Sequence, residues 1–216
     1  MYRILWVLSV ILIVSAIFIG NLVLPSLPAE MPSHWNAAGD VDGWQSSYTY
    51  IWLIPGMAFV LVGIFGILTV RIPDSRVRPH IAMSVVLLTV YMLVLHVMIG
   101  MRAYAGQMLA LAEFMRLIAG LFVGLAFIIK DVPQNHVVGF RLPWTMNDTD
   151  TWAQTHKVGF WGMLAGGIVC FVISVLPIRT EYIFGLGIGA LLLGTLLPSV
   201  YSFWLFARKN KHSPTK

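Results

Sequence analysis

Charge is scarce in this chain: only 11% of its 216 residues are Asp, Glu, Lys or Arg, less than half the share found in a soluble globular domain. Apolar residues make up 58%, and the mean hydropathy is +0.83. No soluble core of this size could hide that much apolar surface, whereas lipid can. Cysteine is reduced to Cys170 alone, which excludes an intramolecular disulfide and any CxxC redox or zinc motif. Cys170 lies within an apolar run, where it reads as a small packing residue. Neither HExxH nor GxSxG occurs, so the common signatures of metalloproteases and α/β-hydrolases are missing. The net charge of +5 does not imply nucleic-acid binding, because the basic residues flank apolar runs rather than cluster on a polar face.

What is present is a series of apolar runs, each near the roughly 20 residues that cross a bilayer as a helix. They cover Ile4–Leu24, Ile51–Val70, Ile81–Met101, Met108–Ile129, Val158–Leu176 and Ile183–Phe206. The first is too long for a signal-peptide core and has no small-x-small site after it, so it reads as an uncleaved helix. The expected fold is all-α: a polytopic membrane bundle of about six transmembrane helices in the plasma (inner) membrane. The chain divides into an N-terminal module, 1–107, and a C-terminal module, 108–216. Arg102–Gly106 reads as a tight turn that makes the third and fourth helices antiparallel neighbours. Ala207–Lys216 reads as a frayed basic tail.

Basic residues are distributed unevenly between the two sides of such a bundle. One side holds eleven: Arg3, Arg71, Arg76, Arg78, Lys130, Arg141, Lys157, Arg208, Lys209, Lys211 and Lys216. The other holds Arg102 and Arg179. The positive-inside rule then places both termini in the cytoplasm, with the segment Pro25–Tyr50 outside and Lys130–His156 inside.

The outer segment has no Lys or Arg and carries Glu30, Asp40 and Asp42. Its prolines favour an extended backbone, and Asn36, Gly39 and Asp42-Gly43 supply turn chemistry. Trp35 and Trp44 suit the headgroup zone. A compact ordered loop at the outer interface is expected, with His34, Trp35, Asn36, Gly39, Asp42 and Trp44 as candidate ligand-binding residues and a His34–Asp42 hydrogen bond within it. An EF-hand starting at Asp40 fails, because Gln45 stands where Gly is needed and Ile51 where Glu is needed. No metal site and no cofactor are expected.

In the inner connector, Gly139 and Pro143 bracket Arg141, and Asn147 or Asp148 is an N-cap for a fifth helix running to Leu176. At 1.5 Å per residue that helix is about 40 Å long and should project into the cytoplasm. Trp152 and His156 share one of its faces, either as a surface for a partner or headgroup or as an anchor for the extension. Within the membrane, His96, Glu113 and Arg116 form an expected polar cluster, with Glu113 and Arg116 spaced to pair. Gly162–Gly166 and Gly185–Gly189 are GxxxG spacings that suit close helix packing within the chain or in a homodimer.

These two connectors resemble those of the SdpI family of bacterial membrane proteins. The outer loop matches through Pro28, Pro32, His34-Trp35-Asn36, Gly39, Asp42 and Trp44. The inner connector matches through Asn135, Gly139, Arg141, Pro143, Trp144 and Trp152, with Leu142 in place of the usual Thr. The resemblance implies immunity against a secreted peptide toxin, or sensing of it, and a cytoplasmic regulator as a partner beside the lipid bilayer. A membrane-embedded enzyme, hydrolase-like and metal-assisted, would have to use His34 with Asp42, or His136 and His156 with Asp148. A small transporter is the third reading, weakened by charges that lie toward helix ends.

Overall fold

A computed structural model describes residues 2–212, with the side chains of 210–212 left aside. Six helices are long and apolar enough to cross a membrane. They are α1 (Tyr2–Val23), α2 (Ser47–Arg71), α3 (Arg78–Tyr104), α4 (Leu111–Ile129), α6 (Thr149–Val175) and α7 (Thr180–His212). A short helix, α5 (Pro143–Asn147), lies between α4 and α6. The chain is a multi-pass membrane protein. Its surface says so as well: Ile4, Ile11, Phe18 and Leu22 on α1, and Leu193, Leu197, Val200 and Phe203 on α7, are all largely exposed. Such a surface is stable only against lipid, where helices satisfy their own backbone groups.

The departure from an all-helical reading lies between α1 and α2. After a short 3-10 turn, Leu24–Ser26, the strands β1 (Glu30–Trp35) and β2 (Val41–Ser46) pair as an antiparallel hairpin. The prolines and turn residues signalled an extended, folded-back segment, and strand pairing satisfies its backbone groups.

Helices α1, α2 and α3 pack together through Ile13, Ala58, Val62, Ile81 and Val85. Helices α4, α6 and α7 pack through Met115, Ala119, Cys170, Ile183 and Leu191. The α6–α7 contact is close because glycines face each other: a Cβ on Gly162 would lie 2.5 Å from the Gly194 carbonyl oxygen, and one on Gly166 would lie 2.7 Å from that of Ala190. The Gly162–Gly166 spacing therefore serves packing within the chain. Gly185 and Gly189 have open space beside them.

Helix ends carry their own capping. Ser46 Oγ accepts from Thr49 N at 3.1 Å to start α2, and Asp148 Oδ1 accepts from Asp150 N at 3.0 Å to start α6. Each such cap is worth about 1 kcal/mol. Helix α6 has 27 residues and α7 has 33, about 40 and 50 Å, so both outreach the hydrocarbon core. Helix α7 continues through Ala207–His212, which the sequence suggested as a frayed tail; 213–216 lie outside the described residues.

Candidate functional site

Two ordered polar elements sit at opposite ends of the bundle. The hairpin covers the end where α3 stops and α4 and α7 begin. A Cβ on Gly39, at the hairpin tip, would lie 3.0 Å from Thr180 Cγ2 and 3.6 Å from Leu111 Cβ. The 130–148 connector covers the other end, where Val137 and Val138 pack against the cluster that includes Val77 of the α2–α3 link.

The hairpin turn is built by Asn36. Its side-chain oxygen accepts from Ala38 N at 2.9 Å and from Asp40 N at 3.0 Å, an Asx-turn that Gly39 completes at φ +91°. Register is irregular next to it: Gly43 pairs with His34 and Val41 with Trp35, which leaves Asp42 unpaired as a bulge. The bulge re-aims Asp42, and His34 Nδ1 donates to Asp42 Oδ1 at 2.5 Å. Gly43 is required opposite His34, since a Cβ there would lie 2.8 Å from His34 Cβ. Trp44 stands 49% exposed. Trp35 instead packs with buried Met31, Tyr50, Ile51, Ile99 and Leu109, and its indole N–H has no partner among the described residues. The hairpin thus has an apolar underside clamped to the bundle and an upper side that presents His34, Asp42 and Trp44. No third His, Cys, Asp or Glu among the described residues gathers with His34 and Asp42 into a metal-binding group.

The expected polar cluster of His96, Glu113 and Arg116 is resolved into three separate contacts. Glu113 pairs with Arg102 across the α3–α4 turn, and its other oxygen accepts from Ala110 N at 3.1 Å. Arg116 donates to the Ser174 carbonyl at 3.2 Å, at the end of α6. The Glu113–Arg116 pair does not form, because Arg102 reaches the carboxylate from the neighbouring helix and Arg116 answers a helix C-terminus. His96 is 5% exposed and stacks on Tyr50 with ring centroids 4.4 Å apart. The Tyr50 hydroxyl donates to the His96 carbonyl.

At the connector end, Asn135 is a four-way staple. Its amide nitrogen donates to the carbonyls of Pro133 at 2.8 Å and Val138 at 3.0 Å. Its oxygen accepts from the backbone N–H of Val137 at 2.7 Å and Val138 at 2.8 Å. Gly139 follows at φ +121°, and a Cβ there would collide with the His156 ring. Trp152 and His156 are 3% and 1% exposed and stack at 4.1 Å. Trp152 Nε1 donates to the Val132 carbonyl at 2.8 Å. His156 Nδ1 lies 2.8 Å from the Trp152 carbonyl, and its Nε2 accepts from Phe140 N at 3.0 Å. These bonds require the neutral Nδ1–H tautomer. The shared face of Trp152 and His156 is therefore the anchor of the α6 extension, not a free surface. Pro143 opens α5, and Trp144 Nε1 donates to Ser202 Oγ at 2.8 Å on α7. Arg141 remains exposed, donating to the His136 carbonyl at 2.6 Å.

Sequence reasoning passed over several members of this end. Thr145 is buried and bonds to Phe140 O at 2.6 Å and Leu142 N at 3.0 Å. Lys209 Nζ reaches Asp148 Oδ2 at 2.8 Å and also pairs with Asp150. The pairing with Lys209, together with the Thr151 hydroxyl, lowers the Asp148 carboxyl to about 2. No local sequence signal marks a tail lysine as a partner of an N-cap 61 residues away.

Residues 131–202, which contain the connector, its anchor and most of α7, match the model of the SdpI/YfhL protein family. Residues 11–59, which contain the hairpin, match a domain of unknown function, DUF1648. The chain is also 25% identical over 211 residues to the Immunity protein SdpI of Bacillus subtilis (strain 168), covering 94% of this chain and 97% of that protein. Over these segments the chain is similar to the SdpI family. Its family-matched positions Asn135, Gly139, Pro143, Trp144 and Trp152 hold the connector end together, while Arg141 is left outward. No solved structure matches.

Proposed function

We propose that this chain is a membrane immunity protein with two modules, 1–107 and 108–216, whose hairpin end meets a secreted peptide toxin outside the cell. The observation that carries this reading is the 25% identity to an immunity protein along almost the whole of both chains. The placement of eleven basic residues on the connector side supports a cytoplasmic connector and tail. The hairpin segment 25–50 holds Glu30, Asp40 and Asp42 and no basic residue, so its field favours a cationic peptide. Exposed Trp44 supplies an amphipathic contact of the kind that dominates binding surfaces. Exposed Arg141 is the connector group free to meet a cytoplasmic regulator.

The test is to express the chain in a sensitive host and challenge it with a panel of cationic antimicrobial peptides. Protection against at least one peptide is expected, and Trp44→Ala and Asp42→Asn should reduce it severalfold at unchanged membrane levels. Equal sensitivity with and without the chain across the panel refutes the proposal.

A further inference from the structure

An apolar cavity of about 630 Å³ lies between α1, α2 and α3 near the hairpin end. That volume is in the usual range of small-ligand sites. Gly20 and Val23 of α1, Ser26, and Val97, Gly100 and Tyr104 of α3 line it. From His96 to Ala105, both lining residues, α3 advances nine positions, or roughly 13 Å. The cavity thus extends from Ser26 and Ala105 to His96 within the membrane-spanning part of α3, and it is open to the outer surface along Val23, Val97 and Met101, which are 42%, 51% and 68% exposed.

His96 is out of place in such a lining unless something meets it. Its side chain is more than nine-tenths buried, and Nδ1 is sealed from solvent without a hydrogen-bond partner. Neither ring nitrogen bonds to a protein group among the described residues. Contrast His156, whose two nitrogens both have partners. An unanswered polar group in an apolar setting is destabilising. The Tyr50 ring fixes the imidazole by stacking against one face, while the Tyr50 hydroxyl is occupied by the His96 carbonyl and cannot serve the ring.

We propose that this cavity binds a neutral, membrane-soluble amphiphile: a single alkyl or isoprenoid chain bearing one hydroxyl or carbonyl that hydrogen-bonds to Nε2 of His96, the ring nitrogen that is not sealed off. A charged headgroup does not fit. Among the described residues no Lys, Arg, Asp or Glu lines the cavity, and nearby Arg102 is committed to Glu113 and Gln107. An ion buried there would lack a counter-charge. A pure hydrocarbon would fill the volume but leave the imidazole unanswered. The site is independent of toxin recognition.

The experiment uses the full chain in nanodiscs and a diazirine-bearing dodecanol as photoprobe, with labelled peptides located by mass spectrometry. Labelling of the α1 and α3 segments that line the cavity is expected. Unmodified dodecanol should compete at least tenfold better than dodecane or dodecanoate at a pH where the acid is ionised. His96→Phe keeps the stacked ring but removes both nitrogens, and should lower alcohol labelling about tenfold. Val97→Trp fills the cavity with His96 intact and should abolish labelling even if His96→Phe fails to fold. Equal competition by alcohol and alkane, labelling that persists in Val97→Trp, or labelling spread evenly over the lipid-facing helices overturns the proposal. Peptide protection is not a readout here, so failure of the toxin reading would leave these outcomes unchanged.

Discussion

Gly139 shows how a single backbone angle holds a whole end of this molecule. At φ +121° an L side chain is strained, and its Cβ would also enter the His156 ring. Gly139→Ala should therefore destabilise the connector end by about 2 kcal/mol or more. Thermal unfolding of the detergent-purified protein should show a lowered midpoint, with tryptic cleavage at Arg141 accelerated. An unchanged midpoint and cleavage rate would mean that the backbone there is free to adjust. Gly106 has a positive φ as well, yet open space surrounds it, so Gly106→Ala should lose only the conformational part.

Among the elements, the start of α6 carries a pH-dependent tie. Asp148 is held at about 2 by Lys209 and Thr151, below its ordinary value of 3.8. A carboxylate lowered on folding stabilises the folded state fully above its unfolded value, and that contribution is lost as pH falls toward the folded value. The N-terminal turn of α6 should therefore loosen between about pH 4 and pH 2. Amide exchange of residues 150–153 reports this directly. Asp148→Asn should raise exchange at pH 7 and flatten the acid response. The pair is partly exposed, with side-chain exposures of 34% and 28%, and should weaken with salt. An exchange profile in Asp148→Asn that matches wild type at pH 7 would show that the cap is redundant.

For the whole molecule, the decisive arrangement is that hairpin and connector cap opposite ends of one bundle. In a Cys170→Ala background, a membrane-impermeant maleimide should label Trp44→Cys in intact cells and Arg141→Cys only after permeabilisation. Labelling of both from the same side would remove the basis for recognition at one end and reporting at the other. The hairpin also bridges the halves: it emerges between α1 and α2 but rests its tip on the starts of α4 and α7.

Spans, connectors and the order of polar segments were legible in the sequence, because hydropathy, length and turn chemistry are local properties. The Asp148 cap, the His34–Asp42 bond and the inward use of Gly162–Gly166 all follow from residues close together or regularly spaced. Which polar groups meet across helices was decided only by the tertiary structure. In lipid both the packed and the outer faces of a helix are apolar, so no amphipathic stripe reveals its rotation. That is why Glu113 could be matched by spacing to Arg116 but is held by Arg102. It is also why His156 turns inward to Phe140 and why His96 is left with an empty hydrogen-bonding position.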